Sequence, residues 1–346
     1  METVICNIIT NFCIVFHMIY MNIKLDAICS NIEYVNAKTN NKTCAVVKAN
    51  AYGSGIERIT ELLYKKVQMF AVANEFEYSQ ILCKFPQAKV LIFNSDTVGN
   101  LSNNAIFSVS NKDDVDRISS ITNVVAVKVN CGMNRFGCAP HLVDDIVQYA
   151  KHKGLSVVQI YTHFPSAEIA KKNINIFTKC TNAYDGKVER HCCSSNFFHL
   201  GDDYKFDTVR TGLALYGYGY KNLTPACEIY TTVAHTFNLK SGNCVGYGQT
   251  KLKRNSKIAI LSAGYADGLV INNNLHFAIN GKLCKIIDRP CMDTVMVDVS
   301  ETTCNIGDRA YLLGNGIDMD KCTKFSGTFA HHILTSIHTR VIRNYV

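Results

Sequence analysis

A (β/α)8 TIM barrel followed by a C-terminal all-β domain is the fold class this sequence predicts. Three observations predict it. Eight short apolar runs alternate with helix-like segments over the first two thirds of the chain. Beyond about residue 226 strand-like stretches follow one another with little helix between them. The composition, 47% hydrophobic and 18% charged over 346 residues, describes a globular chain with apolar mass enough for two domains.

Taken in order, residues 1–21 read as an apolar N-terminal extension. Val4 to Met21 lacks the positive n-region and small-residue cleavage site of a signal peptide. Asn7, Thr10, Asn11 and His17 also make it a poor membrane span. An upstream extension with Met21 as the functional start is preferred to a membrane anchor, and globular patterning starts at Met21-Asn22-Ile23-Lys24. Residues 22–225 are assigned to the barrel and 226–346 to the β domain.

The eight barrel strands are expected at Cys44–Val47, Met69–Ala73, Lys89–Phe93, Ala105–Val109, Val124–Val129, Val157–Tyr161, His191–Ser194 and Val209–Leu215. The clearest helix signal spans Pro140 to Lys153, with proline in the first turn and Gly154 past the end. A doubly wound sheet is the rival, ranked lower because Gly53-Ser54-Gly55 is not G-x-G-x-x-G. In the second domain strands are expected at Ile229–Leu239, Lys257–Ala263, His276–Ile279, Leu283–Ile287, Thr294–Val299 and Arg309–Leu313. Asn280-Gly281 marks a hairpin there. A last helix at Phe329–Ile337 precedes a strand at Thr339–Ile342.

The net charge of +8 is spread along the chain without a Lys/Arg tract, so no nucleic-acid partner is implied. Sixteen cysteines are scattered, often within apolar runs, and none forms a CxxC. That suits small buried thiols in a reducing cytoplasm better than a disulfide framework or a metal site.

Chemistry centres on Thr43 to Gly55, a strand, a lysine, a glycine turn and the start of a helix. A lysine at the end of a buried strand is costly to desolvate, so its amine tends toward the neutral, nucleophilic form. A lysine that merely snorkels there is the plain alternative. The barrel assignment adds a reason to favour the former. The ends of the predicted strands bring Lys48, Asn130 to Arg135, His163, Ser194-Ser195 and Arg210 to one face.

Val47-Lys48-Ala49-Asn50-Ala51-Tyr52-Gly53-Ser54-Gly55 resembles the pyridoxal phosphate attachment motif of the alanine racemase family. The likeness continues through Cys131–Gly137, Thr162-His163-Phe164 and Val209–Gly217, then Val245–Gly248, Ala263–Gly268 and Cys291-Met292-Asp293. It runs in order through both domains. The resemblance implies a pyridoxal 5'-phosphate enzyme acting on a small amino acid as a homodimer, supplying D-alanine for peptidoglycan in a bacterium. It implies that Lys48 holds the cofactor and serves one face of the substrate. Tyr265, contributed across the dimer interface together with Met292, serves the other. Two bases on opposite faces are what inversion at a carbon requires. A phenol in water is mostly protonated at neutral pH, so a proton partner is needed, and His163 is the one the resemblance supplies. Arg210 would face the cofactor ring nitrogen, and a permanently protonated guanidinium leaves that nitrogen unprotonated. Tyr52, Ser195 and the amides of Gly212 and Leu213 would hold the phosphate. Arg135 would take the substrate carboxylate or the cofactor's phenolic oxygen, with Met292 and Asp293 lining the entrance. Lys128 matches a lysine carbamylated in some members, and an ordinary barrel lysine stays open there.

Three positions depart from the family pattern. Ser194 replaces an asparagine, Asn130 an aspartate, and Thr339, before Arg340-Val341-Ile342-Arg343, a tyrosine. Threonine is smaller, so the pocket would be roomier and the phosphate one hydrogen bond poorer, worth about 1.5–3 kcal/mol for a charged partner. Racemisation of serine therefore stands as an alternative to that of alanine. A barrel-plus-β amino-acid decarboxylase, a single-barrel cofactor carrier and an inactive relative are weaker readings.

Overall fold

The computed structural model describes residues 18–40, 42–94, 104–195, 197 and 200–346. The chain divides into two compact units: Lys24–Ala226, and the described residues before Lys24 together with Cys227–Val346. Most of the expected N-terminal extension, residues 1–17, lies outside the described residues.

Met18–Met21 do not behave as an extension. Strand β1 (Tyr20–Ile23) pairs antiparallel with the long β10 (Cys227–Leu239) and parallel with the last strand of the chain. Met21 and Ile23 are completely buried, and Tyr20 stacks on Tyr230 at 5.1 Å. Asn22 and Ile23, expected in the barrel, thus belong to the β unit.

The barrel begins with helix α1 (Leu25–Lys38) and strand β2 (Thr43–Val46). It continues through α2 (Ile56–Leu63), β3 (Met69–Val72), α3 (Glu75–Leu82), β4 (Val90–Ile92), β5 (Ala105–Val109), α4 (Lys112–Ile118) and β6 (Val124–Lys128). Then come α5 (Val143–His152), β7 (Ser156–Tyr161), α6 (Ala167–Thr181), β8 (Glu189–His191) and β9 (Val209–Thr211). These strands are short and rich in Val, Ile and Ala, with β2, β3 and β4 buried on both faces, as a parallel sheet under helices requires. Their order is β8-β7-β6-β5-β4-β3-β2-β9, every pair parallel. A single parallel bridge, Ser194 to Arg210, joins the two ends and closes the ring. Side-chain caps begin three helices, with Asn74, Asn111 and Ser166 accepting from Glu77, Asp114 and Ile169 amides, each cap worth about 1 kcal/mol.

Two barrel strands differ from expectation. Strand β8 starts at Glu189 and leaves the sheet after His191, because the Glu189 side chain is accommodated inside, accepting from Gln159 Nε2 at 3.1 Å. Strand β9 stops at Thr211, since the Gly212 and Ala214 amides turn to Ser195 Oγ, and Leu213–Tyr216 coils into a 3-10 turn. The expected helix at Pro140–Lys153 is a 3-10 turn, Pro140–Leu142, running into α5.

In the second unit β10 is followed by β11 (Cys244–Val245), β12 (Thr250–Lys251), β13 (Ser256–Leu261), β14 (His276–Ile279), β15 (Lys282–Lys285), β16 (Val295–Asp298) and β17 (Arg309–Leu313). Helices α7 (Met319–Ser326) and α8 (Ala330–Thr335) then lead to β18 (Ile342–Tyr345). The main sheet runs β15-β14-β17-β10-β1-β18, and β13 joins β10 to β16. A register shift between Val233 and His235 lets β10 serve both parts. Asn280 and Gly281, with φ of 46° and 78°, make the left-handed hairpin turn that their sequence predicts. The last strand lies three residues later than expected: Thr339 and Arg340 form a turn ahead of it. No helix among the described residues is long and apolar enough to cross a membrane.

Substituting Met21→Ala tests whether residues before Asn22 belong to the fold. The loss in urea unfolding should be about 2–5 kcal/mol, the usual cost of emptying a buried methionine site. A loss near zero would return Met21 to an extension.

Candidate active site

Lys48 stands two residues past β2, and the backbone behind it is unusual. Ala49, Asn50, Ala51 and Tyr52 all have φ of 53° to 54°, a left-handed turn built without glycine. It closes on itself through Ala51 N–H to Val47 O at 2.8 Å and Gly53 N–H to Ala49 O at 2.9 Å. Side chains fasten it. Asn50 Oδ1 accepts the Ile56 amide at 2.8 Å, and Tyr216 Oη donates to Ala51 O at 2.5 Å. Glu77 takes the Ala49 amide at 2.6 Å and the Ala73 amide at 2.7 Å, tying the turn to the end of β3. Glu77 was not among the residues the sequence singled out; its signal was the Asn74 cap that starts α3.

The turn aims Tyr52 at Gly212. A Cβ on Gly212 would lie 2.2 Å from the Tyr52 hydroxyl oxygen, so only glycine fits. Ser195 Oγ accepts the Gly212 and Ala214 amides at 3.0 and 3.3 Å. A buried phenol, a serine hydroxyl and a run of amides beside a glycine form a cradle of the kind that receives a phosphate.

Arg210 is buried in β9. Its Nη2 donates to Thr162 O at 2.7 Å, and its Nη1 lies 2.5 Å from His191 Nδ1. His191 in turn stacks on Tyr161 at 5.0 Å, and the Arg210 guanidinium lies over the same Tyr161 ring at 5.2 Å. The partner histidine of Arg210 is therefore His191, which sequence reasoning missed. Its signal was its place within His191-Cys192-Cys193, on the strand next to β9 in a closed ring.

Lys128, the last residue of β6, is buried with its amine 5.6 Å from the Tyr161 ring centre and 5.2 Å from that of Phe136. Asn130 shapes the loop that follows. Its Oδ1 accepts the amides of Gly132 at 3.2 Å and Asn134 at 3.0 Å, presenting Arg135 to solvent. Its Nδ2 donates to Asn134 Oδ1 at 3.0 Å, a bond an ionised aspartate could not make, which accounts for asparagine at this place.

The charges of these groups act on one another. Burial lowers the pKa of the Lys48 amine, and Arg135 and Arg210 push it lower still. Burial, then Arg135, Arg210 and Lys48, bring Lys128 down to about 8. Burial first, then Arg210, Arg135, Lys128 and Lys48, hold His163 down to about 3, so its imidazole is neutral at physiological pH. Four cationic side chains thus gather around one neutral histidine at the C-terminal end of the barrel. Such a mouth favours an anionic ligand and makes its amines easier to deprotonate.

Tyr265, Met292 and Asp293 lie in the β unit. Tyr265 opens a 3-10 turn, Tyr265–Asp267, whose Tyr265 and Ala266 amides donate to Cys291 O and Met292 O at 3.0 and 3.1 Å. Tyr265 is 37% and Met292 54% exposed, large side chains left open to solvent on neighbouring turns. Met292, Asp293 and Tyr247 line an open depression.

The profile described as "Alanine racemase, N-terminal domain" matches residues 23–219, and that described as "Alanine racemase, C-terminal domain" matches residues 226–345. The chain belongs to the alanine racemase family. An alanine racemase of Methylacidiphilum infernorum is 30% identical, over 90% of this chain and 88% of its own. That of Methanococcus maripaludis is 29% identical, over 96% and 100%. Among solved structures, the alanine racemase of Clostridium difficile 630 superposes with a TM-score of 0.86 at 26% identity, covering 95% of each chain. The alanine racemase of Bartonella henselae, solved with covalently bound pyridoxal phosphate, shares the fold with a TM-score of 0.85 at 24% identity, over 95% of this chain and 99% of its own. An alanine racemase is an isomerase, and the family's barrel and β domain are both present here.

The depressed Lys128 amine has a consequence for stability. Between about 8 and the ordinary lysine value of 10.5 the unfolded chain holds a proton that the folded chain has released. Unfolding then takes up a proton, so the Lys128 contribution to stability rises as pH increases through that window. Wild type should gain about 1–3 kcal/mol over Lys128→Met across it in urea unfolding, one pKa unit being worth about 1.4 kcal/mol. A difference that stays flat with pH would refute the depressed pKa.

Proposed function

We propose that this chain interconverts L- and D-alanine as a homodimer, with pyridoxal phosphate held on Lys48 and two bases of opposite face. The observation that carries the reading is the barrel mouth. A lysine with a lowered pKa stands beside a cradle of Tyr52, Ser195 and Gly212, under an arginine fixed by His191 and Thr162.

These residues fit the cofactor. The Lys48 amine, whose pKa burial lowers, would engage its aldehyde carbon in its neutral form. The Tyr52 and Ser195 hydroxyls and the Gly212 and Leu213 amides would hold its phosphate. Arg210 would face the ring nitrogen and, being unable to accept a proton, would leave it uncharged. When bound, the cofactor spreads the charge left on the substrate's α-carbon once its proton is removed.

The remaining steps fall to the chain itself. Arg135 would orient the substrate carboxylate or the cofactor's phenolic oxygen. Lys48 would move the proton on one face and the partner subunit's Tyr265 on the other. His163, held neutral, would accept a hydrogen bond from the tyrosine's hydroxyl and orient it. Met292 and Asp293 would line the entrance, and Lys128, either free or carbamylated, would position Arg135.

The test is product chirality against time for purified protein with pyridoxal phosphate, offered L-alanine and L-serine separately. D-alanine forming much the faster supports the reading. A preference for serine would assign a related racemase, with Thr339 as the enlarged wall. Cofactor binding with neither product would overturn racemisation altogether.

Single substitutions separate the two bases. Lys48→Ala should abolish covalent cofactor attachment, read by its absorbance. Tyr265→Phe should keep the cofactor yet lose about 100- to 10,000-fold in racemisation, the usual weight of a positioned acid–base group. In heavy water that variant should still exchange the α-proton of D-alanine, which faces Lys48, without inverting it. Racemisation unchanged in both variants would sink the two-base assignment.

A further inference from the structure

Arg340 closes the turn between α8 and β18 and points away from that turn's own backbone. We propose that it is a positioning residue for racemisation: its guanidinium joins the turn carrying Tyr265 to the turn carrying Met292 and Asp293, and so fixes how both are presented. The inference rests on the reading of Tyr265 as a catalytic base. All the groups involved lie within the β unit.

The geometry has a buried half and an exposed half. Arg340 Nε donates to Asp267 Oδ1 at 2.6 Å, and Nη2 donates to Asp293 Oδ1 at 2.8 Å. The Asp267 side chain is 6% exposed against 56% for Asp293. Asp267 is the hub. Its Oδ2 accepts the Gly264 amide at 2.7 Å, and its carbonyl accepts the His338 amide at 3.3 Å. A buried carboxylate needs both a counter-ion and hydrogen bonds, and Arg340 supplies the only ion pair recorded to it among the described residues.

The surrounding backbone leaves the tyrosine turn little room except along its length. A Cβ on Gly264 would stand 2.0 Å from Met292 O, and one on Gly268 2.0 Å from Ser336 O. The turn is thus packed between residues 291–293 on one side and 336–338 on the other. His338 Nδ1 also donates to Ala266 O at 2.9 Å. Those contacts fix its flanks, while Arg340 fixes its two neighbours to each other. The planar guanidinium holds two acceptors at a set spacing, which a lysine's single ammonium cannot reproduce. The pairing also answers the charge of Asp293, a carboxylate otherwise bare beside the exposed Met292. An anionic substrate passing there would meet a neutralised pair.

The test uses the cofactor-loaded enzyme and Arg340→Gln, with Arg340→Lys as the variant that keeps the charge. The primary isotope effect is measured with α-deuterated L-alanine and α-deuterated D-alanine in turn, beside kcat, KM and hydrogen exchange of residues 264–268. Arg340→Gln should lower kcat by about 10- to 100-fold, the cost of a displaced catalytic group. The isotope effect should rise for the L substrate, whose proton faces Tyr265, and not for the D substrate. Exchange at 264–268 should quicken while cofactor absorbance is kept. Arg340→Lys should recover part of kcat and leave the L-side isotope effect raised. Should Arg340→Gln fail to fold, the L-side isotope effect of Arg340→Lys decides alone. Isotope effects unchanged in both directions, with activity following the folded fraction, would overturn the proposal and leave Arg340 a structural residue. Undiminished racemisation by Tyr265→Phe would instead remove the reading beneath it, and the two failures are told apart by that variant.

Discussion

The left-handed turn at Ala49–Tyr52 is the constraint on which the site depends. An L-residue in that conformation costs about 1–2 kcal/mol, and here four stand in sequence without a glycine. Strain of this kind persists only where the surroundings over-determine it. Glu77 and Tyr216 supply that determination from two other elements, and Asn50 from within the turn by accepting the Ile56 amide. The result is that, on the proposed cofactor, a lysine at the end of one strand and a tyrosine four residues later would bear on different parts of one ligand. A right-handed turn would send those side chains along another path.

Beneath that turn the barrel mouth is organised by aromatic rings rather than by carboxylates. Tyr161 has the Arg210 guanidinium 5.2 Å and the Lys128 amine 5.6 Å from its ring centre, and stacks His191 at 9°. Rings tolerate cations without neutralising them. The positive charge of Lys128, Arg135 and Arg210 at the mouth is therefore not cancelled by these rings, adds to burial in holding His163 neutral, and awaits negative charge from outside. A carboxylate in the place of Tyr161 would cancel the field that makes the site receptive.

Much of this was legible in the sequence, and the exceptions share a cause. Strands β5, β14 and β17 match their expected bounds because their apolar runs are bracketed by turn residues. Lys48, His163 and Arg210 could be grouped because barrel geometry collects strand ends, whereas Lys128 was named only by the family resemblance. Glu189, His191, Glu77 and β1 escaped notice for one reason. Each is fixed by a partner far along the chain: Gln159, Arg210, the Ala49 amide and β10. Local pattern carries the period of an element but not the identity of the group that meets it. Strand β18 shows the same limit: its turn is delayed because Arg340 and His338 are drawn to the Tyr265–Asp267 segment, some seventy residues earlier.

The barrel is closed by one bridge, Ser194 to Arg210, next to the Gly212 amides that Ser195 occupies. Among the described residues every other neighbouring pair in the ring shares a ladder, whereas this seam has that bridge with the Asp207 and Arg210 amides donating to Arg190 O and Cys193 O at 2.9 and 3.0 Å, and so is the shortest join. A ligand that spans the seam and binds only the closed ring adds its own free energy of binding to the cohesion of the whole barrel. Nutrition then enters protein lifetime: on the proposed cofactor, a cell short of vitamin B6 would hold a population whose rings open more often and meet proteases sooner. Supply of a small molecule would set not only how many sites work but how long each chain lasts.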